Sequence, residues 1–144
     1  MKKVLSLLAA ALMIMLSTTA VFATPEIECR MVQVGNKRWL NVYTEECFNV
    51  APYEDKTNDR LMIESRPFIE ALGGSVSWDK KTQTQTINYY GRVFKYQANC
   101  PLCCGGVPRL VNGCMMVPIR DLAQNLGMFV YWYESAEVCA LEQY

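Results

Sequence analysis

Asn112-Gly-Cys-Met-Met-Val-Pro-Ile-Arg-Asp-Leu-Ala-Gln-Asn-Leu-Gly-Met-Phe-Val-Tyr-Trp132 reads as strand, helix, strand. Met115 to Val117 is a short extended apolar run, and Pro118 suits a first helical residue because it has no N–H to satisfy there. Ile119, Leu122, Ala123 and Leu126 then fall at i, i+3, i+4 and i+7, a single apolar stripe. Gly127 follows as a left-handed C-cap. After it the period becomes two, with Val130 and Trp132 on one face.

The same phrase occurs 54 residues earlier, from Asn58 to Trp78, without a gap. It matches Met62 to Met116, Arg66 to Arg120, Leu72-Gly73 to Leu126-Gly127, Val76 to Val130 and Trp78 to Trp132. Two copies at that spacing are too few for a solenoid and predict two related halves of one domain. The expected fold class is α+β, each half a short helix packed on antiparallel strands and hairpins, over about 31–90 and 91–141. In the first copy Phe68, Ile69 and Leu72 form the expected buried stripe, with Ser65 as N-cap and Pro67 in the first turn. Trp78 and Trp132 are expected to be equivalent core residues.

Arg66 with Phe68 to Asp79, and Met116 to Arg120 with Leu126-Gly127 and Trp132, resemble the repeat of the stalk domain, the copper amine oxidase N-terminal-domain-like family of secreted bacterial proteins. Ala51-Pro52-Tyr53 and Val107-Pro108 resemble the proline step before each unit, and the likeness spans roughly Met31 to Leu141. Glu64-Ser65 stands where the family pattern has Val-Pro. The resemblance implies a non-catalytic binding or scaffolding module, with a cell-wall glycan or an envelope protein as possible partner.

Outside these repeats, Met1-Lys2-Lys3, the apolar run Val4 to Leu16 and Val21-Phe22-Ala23 make a signal peptide over residues 1–23, too short in its apolar part to span a bilayer. Thr24 is then the expected mature N-terminus, and residues 24–144 a single domain. Its 121 residues can bury roughly two-thirds of their unfolded surface. The 14 basic residues less Lys2 and Lys3, against 14 acidic, leave a net charge of −2. No basic face is available for nucleic acid. Val32 to Val34 and Trp39 to Tyr43, joined at Gly35-Asn36, predict a hairpin, and Glu45 to Asp59 reads as a loop. Val76 to Trp78, Thr84 to Tyr90 and Val93 to Tyr96 read as three strands joined by turns.

The chain has no histidine. Nucleophiles activated by imidazole and histidine-bound metals are therefore excluded. Copper amine oxidase chemistry also falls, because Asn88-Tyr89-Tyr90 lacks the acid expected beside a modifiable tyrosine. No catalytic residue, cofactor or metal site is assigned.

Arg66 and Arg120, at the starts of the two helices where the dipole disfavours them, are read as structural, each capping carbonyls or pairing with an acid, with a twofold anion site as the functional alternative. All seven cysteines (Cys29, Cys47, Cys100, Cys103, Cys104, Cys114 and Cys139) follow the signal segment, which predicts disulfides in an exported chain. Cys29 with Cys47, and Cys114 with Cys139, are plausible bridges, and the odd count leaves a free thiol or a disulfide-linked dimer. Cys100-Pro-Leu-Cys103-Cys104 supports an alternative function, a small exported thiol-disulfide or metal-handling protein. Finally, Ser75, Ser77 and Asp79 in the first copy become Phe129, Tyr131 and Tyr133 in the second, on the strand face away from the helix. These aromatics are expected to be covered by the neighbouring repeat or the first hairpin. If they are open, Tyr131 and Tyr133 are the expected partner contacts.

Overall fold

The computed structural model describes residues 26–143, so the expected signal peptide over residues 1–23 and the expected N-terminus at Thr24 lie outside the described residues. The fold is α+β, and every strand pairing in it is antiparallel. In chain order come β1 (Glu28–Gln33), β2 (Arg38–Asn41), β3 (Thr44–Cys47), β4 (Tyr53–Asp55), β5 (Arg60–Glu64) and α1 (Ser65–Ala71). They are followed by β6 (Ser75–Asp79), β7 (Thr84–Tyr89), β8 (Arg92–Gln97), β9 (Arg109–Val111), β10 (Cys114–Pro118) and α2 (Ile119–Leu126). Strand β11 (Phe129–Tyr133), a 3-10 turn (Glu134–Ala136) and β12 (Val138–Gln143) complete the described chain.

Three sheets enclose one core. Their strand orders are β11-β12-β1-β2-β3, β4-β5-β10-β9 and β6-β7-β8. In the central, four-stranded sheet Met62 lies opposite Pro118, Ile63 opposite Val117 and Glu64 opposite Met116. The bounds of β5, β6 and β7 recur 54 positions on as those of β10, β11 and β12, and both helices begin at the matching residue. Beside β12, however, sits β1. It occupies the place that β8 takes beside β7: Gln33 faces Val138 and Glu28 faces Gln143, as Gln97 faces Thr84 and Arg92 faces Tyr89.

Both helices bury the stripe that their sequence spells. Phe68, Ile69 and Leu72 are buried on the first, and Ile119, Leu122, Ala123 and Leu126 on the second. Gly127 ends α2 at φ 76°, a left-handed conformation that costs glycine nothing. From the first hairpin, Trp39 joins the same core, with its ring 5.5 Å from Phe48 and 4.9 Å from Phe68.

Several local expectations fail. Ser65 is not an N-cap but the buried first residue of α1, its hydroxyl donating to Gln85 Oε1 and lying 3.2 Å from the Met115 carbonyl oxygen. Pro118 ends β10, and the helix starts one residue later. The polar stretch read as a loop contains β3 and β4, which pair with β2 and β5. Their charged side chains suit edge strands, where one side faces water.

Candidate functional site

The outer face of the five-stranded sheet is the largest contrast between the repeats. Val32, Trp39, Cys139 and Leu141 point into the core. By alternation Phe129, Tyr131 and Tyr133 therefore point out, together with Met31, Leu40, Val138 and Ala140. Tyr131 faces Ala140, which faces Met31, which faces Leu40, so one rung carries an apolar line across four strands. Phe129, Tyr131 and Tyr133 are 57%, 44% and 54% exposed. The corresponding outer rungs of β6-β7-β8 hold Ser75 with Asn88 and Val93, Ser77 with Thr86 and Lys95, and Asp79 with Thr84 and Gln97.

Over Tyr131 and Tyr133 the expected cover by the first hairpin is not found among the described residues. The first hairpin extends the sheet sideways beyond β12 and does not fold over its face. Nor are the tyrosines the outermost pair, since Phe129 is more exposed than either. Met31 and Leu40 complete this surface and were not singled out from sequence. Their signal was the alternation of the hairpin itself, in which they take the opposite parity to Val32 and Trp39.

Trp78 and Trp132 are not core residues, being 36% and 45% exposed. Each lies toward the far end of its strand and shares a groove with the arginine at the start of the preceding helix, Arg66 or Arg120. The result is a pair of grooves. One, of about 480 Å³, holds Arg66, Trp78, Gln85 and Cys114. The other, of about 300 Å³, holds the matching Arg120, Trp132 and Cys139, with Arg60 in the place of Cys114. Arg66 Nη1 donates to Glu70 Oε1 and to the Val76 carbonyl oxygen, each at 3.3 Å. Arg120 makes no such contact among the described residues.

No disulfide joins the cysteines among the described residues. Cys29 and Cys47 share the outer sheet face but sit at opposite corners, because Cys47 faces Arg38 while Cys29 lies at the Val42 end. Two strand spacings, about 10 Å, and the length of strand from Arg38 to Val42, about 13 Å, separate them, beyond the reach of a disulfide. Cys114 begins a strand of the central sheet, and Cys139 lies inside the five-stranded one. Cys100, Cys103 and Cys104 are exposed in the loop before β9. Cys104 Sγ donates to Asp121 Oδ1 at 2.9 Å, and that carboxylate also accepts from Tyr96 at 2.6 Å. The hydrogen bond to Asp121 raises the Cys104 pKa, and burial raises those of Cys29, Cys114 and Cys139, the last to about 12. These four sites hold the thiol and disfavour the thiolate that redox chemistry needs. No group of three or more acids and thiols is arranged to hold a metal ion among the described residues. No helix among the described residues is long and apolar enough to cross a membrane.

A family model described as the copper amine oxidase N-terminal domain matches residues 41–141. No curated protein and no solved structure matches the chain.

Proposed function

Because the chain belongs to the copper amine oxidase N-terminal domain family, a non-catalytic domain, we propose that it is a binding and scaffolding module of the cell exterior or envelope. The observation that carries this reading is the outer sheet face. Ser75, Ser77 and Asp79 on β6 stand where β11 has Phe129, Tyr131 and Tyr133, and Lys95 on β8 stands where β1 has Met31. An apolar patch rimmed by Gln33, Arg38, Glu45 and Glu142 has the composition of a recognition surface. Its partner is a wall glycan stacked on Tyr131 and Tyr133, or an envelope protein laid across the same rungs. The matching element bounds and the paired grooves support a duplicated origin, with two related halves meeting at Ile63 and Val117. In this reading residues 1–23 direct export, and residues 24–144 are one domain.

The test is the double variant Tyr131→Ala, Tyr133→Ala. Both rings are about half exposed, so their removal is expected to cost about 1 kcal/mol or less per site. Binding to isolated cell-wall material, or to envelope proteins retained on it, should fall at least about tenfold. Unchanged binding by a folded double variant would remove the face from the function.

A further inference from the structure

A further cavity lies at the opposite end of the five-stranded sheet from the Trp132 groove, and its chemistry goes beyond the sheet-face reading. It has a volume of about 660 Å³, within the range of small-molecule sites. One wall is Arg30 on β1 and Asn41 on β2, and another is the end of α1 at Ala71 and Leu72. Tyr43 and Tyr90 stand at its rim, both more than four-fifths exposed.

Arg30 is the unusual residue. It is an arginine on the inner face of a sheet, only 5% exposed. Its Nε donates to Asn41 Oδ1 at 3.0 Å and one terminal nitrogen, Nη2, to Glu28 Oε2 at 2.7 Å. The other, Nη1, is buried with no hydrogen-bond partner among the described residues. Nη1 itself is closed off from the cavity, so a ligand oxygen would reach it only after a small turn of the guanidinium, and the cost of a buried unsatisfied donor favours that turn when an acceptor is offered.

Charge decides which acceptor. Arg30 is already paired with Glu28, and Glu26 adds a second carboxylate to the wall, where it accepts from the Tyr43 hydroxyl at 2.6 Å. The wall is thus net negative, and a carboxylate or phosphate would meet repulsion. A hydroxyl suits it better, because it accepts from a guanidinium and donates to a carboxylate, and Asn41 and Gln143 can do either. The exposed phenol rings supply flat apolar faces at the mouth.

We propose that the Arg30 cavity binds a neutral saccharide, with a ring or hydroxyl oxygen accepting from Arg30, further hydroxyls donating to Glu28 and Glu26, and the sugar's C–H face against Tyr90. The experiment is a titration of the isotope-labelled chain with maltotriose, cellotriose and triacetylchitotriose, followed by amide NMR, with trigalacturonate as the charged comparison. At least one neutral sugar should move the signals of residues 41–44, Gly73 and Gln143. Tyr90→Ala removes an exposed ring and should weaken that binding about five- to tenfold. Tyr131→Ala, Tyr133→Ala should leave it unchanged, which separates this site from the sheet face. The proposal is overturned if no neutral sugar moves those signals, if Tyr90→Ala binds as the parent does, or if trigalacturonate binds more tightly than the neutral sugars.

Discussion

Glu64 and Pro118 close β5 and β10 at matching positions, and they secure the following helix by different means. Glu64 is buried, and its carboxylate accepts from the Asn49 and Val50 backbone N–H groups at 2.6 and 3.2 Å and from the Asn49 side chain at 2.9 Å. A glutamate at the position of the second copy's Pro118 thus ties the loop after β3 to the helix start. Pro118 instead packs against Gly106, where a Cβ would come within 2.7 Å of its ring and φ is +100°. No other residue fits there without moving the proline. The tryptophans illustrate the same dependence on surroundings. Alternation places Trp78 and Trp132 on the inner face, but it does not say how far along a strand the helix extends. Since Trp78 keeps over a third of its surface in water, Trp78→Ala should cost about 1–2 kcal/mol. Phe68→Ala, deleting a fully buried ring, should cost about 3–5 kcal/mol. Urea unfolding midpoints at constant m compare the two, and equal losses would contradict this placement of the indole.

At the scale of elements, both helices were legible because a 3.6-residue stripe ends at a glycine in each copy. The strands from β6 to β8 were legible through alternation and through Asp79 and Gly91 at their turns. Strands β3 and β4 were not, because Thr44-Glu-Glu-Cys47 and Tyr53-Glu-Asp55 carry little apolar signal and exist through pairing with β2 and β5. The aromatic face was legible only as three residues on one strand, since β1 and β2 join it through contacts a hundred residues apart. Arg30 gave no sign of a cavity, because a charge in an alternating strand normally reads as solvent-facing. The β4–β5 turn yields a pH prediction. Asp55 accepts from Asn58 Nδ2 at 2.9 Å and from the Thr57 backbone N–H at 3.0 Å, and these bonds, led by Asn58, hold its pKa below the ordinary carboxylate value. A depressed folded value means that the stabilisation is complete above the unfolded pKa of about 3.9 and is lost as pH falls through the folded one. Asp55→Asn should therefore be less stable than the parent at neutral pH, and the two should converge as pH drops below about 4. Thermal melts across that range measure it, and parallel curves would refute the assignment.

Across the whole molecule, β1 supplies what the second copy lacks. The first copy has β8 to flank β7, whereas β12 is flanked by a strand from the other end of the described chain. Deleting residues 28–33 should expose β12 along one edge, remove Val32 from the core and abolish cooperative thermal unfolding. Moving the same six residues to follow Gln143 through a flexible linker should restore it. A deletion that still melts cooperatively would show that β12 needs no such partner. Seen in time, the arrangement sets an order of events. Strand β12 lies between β11 and β1, so the last described strand to be synthesised enters the middle of its sheet, not the margin. At about 5–20 residues per second, β1 waits roughly 5–20 s for it. Throughout that interval β1 has β2 on one side and no strand on the other, so that edge of the sheet stays open. The sheet can close only when Val138 to Gln143 arrives to bridge β11 and β1.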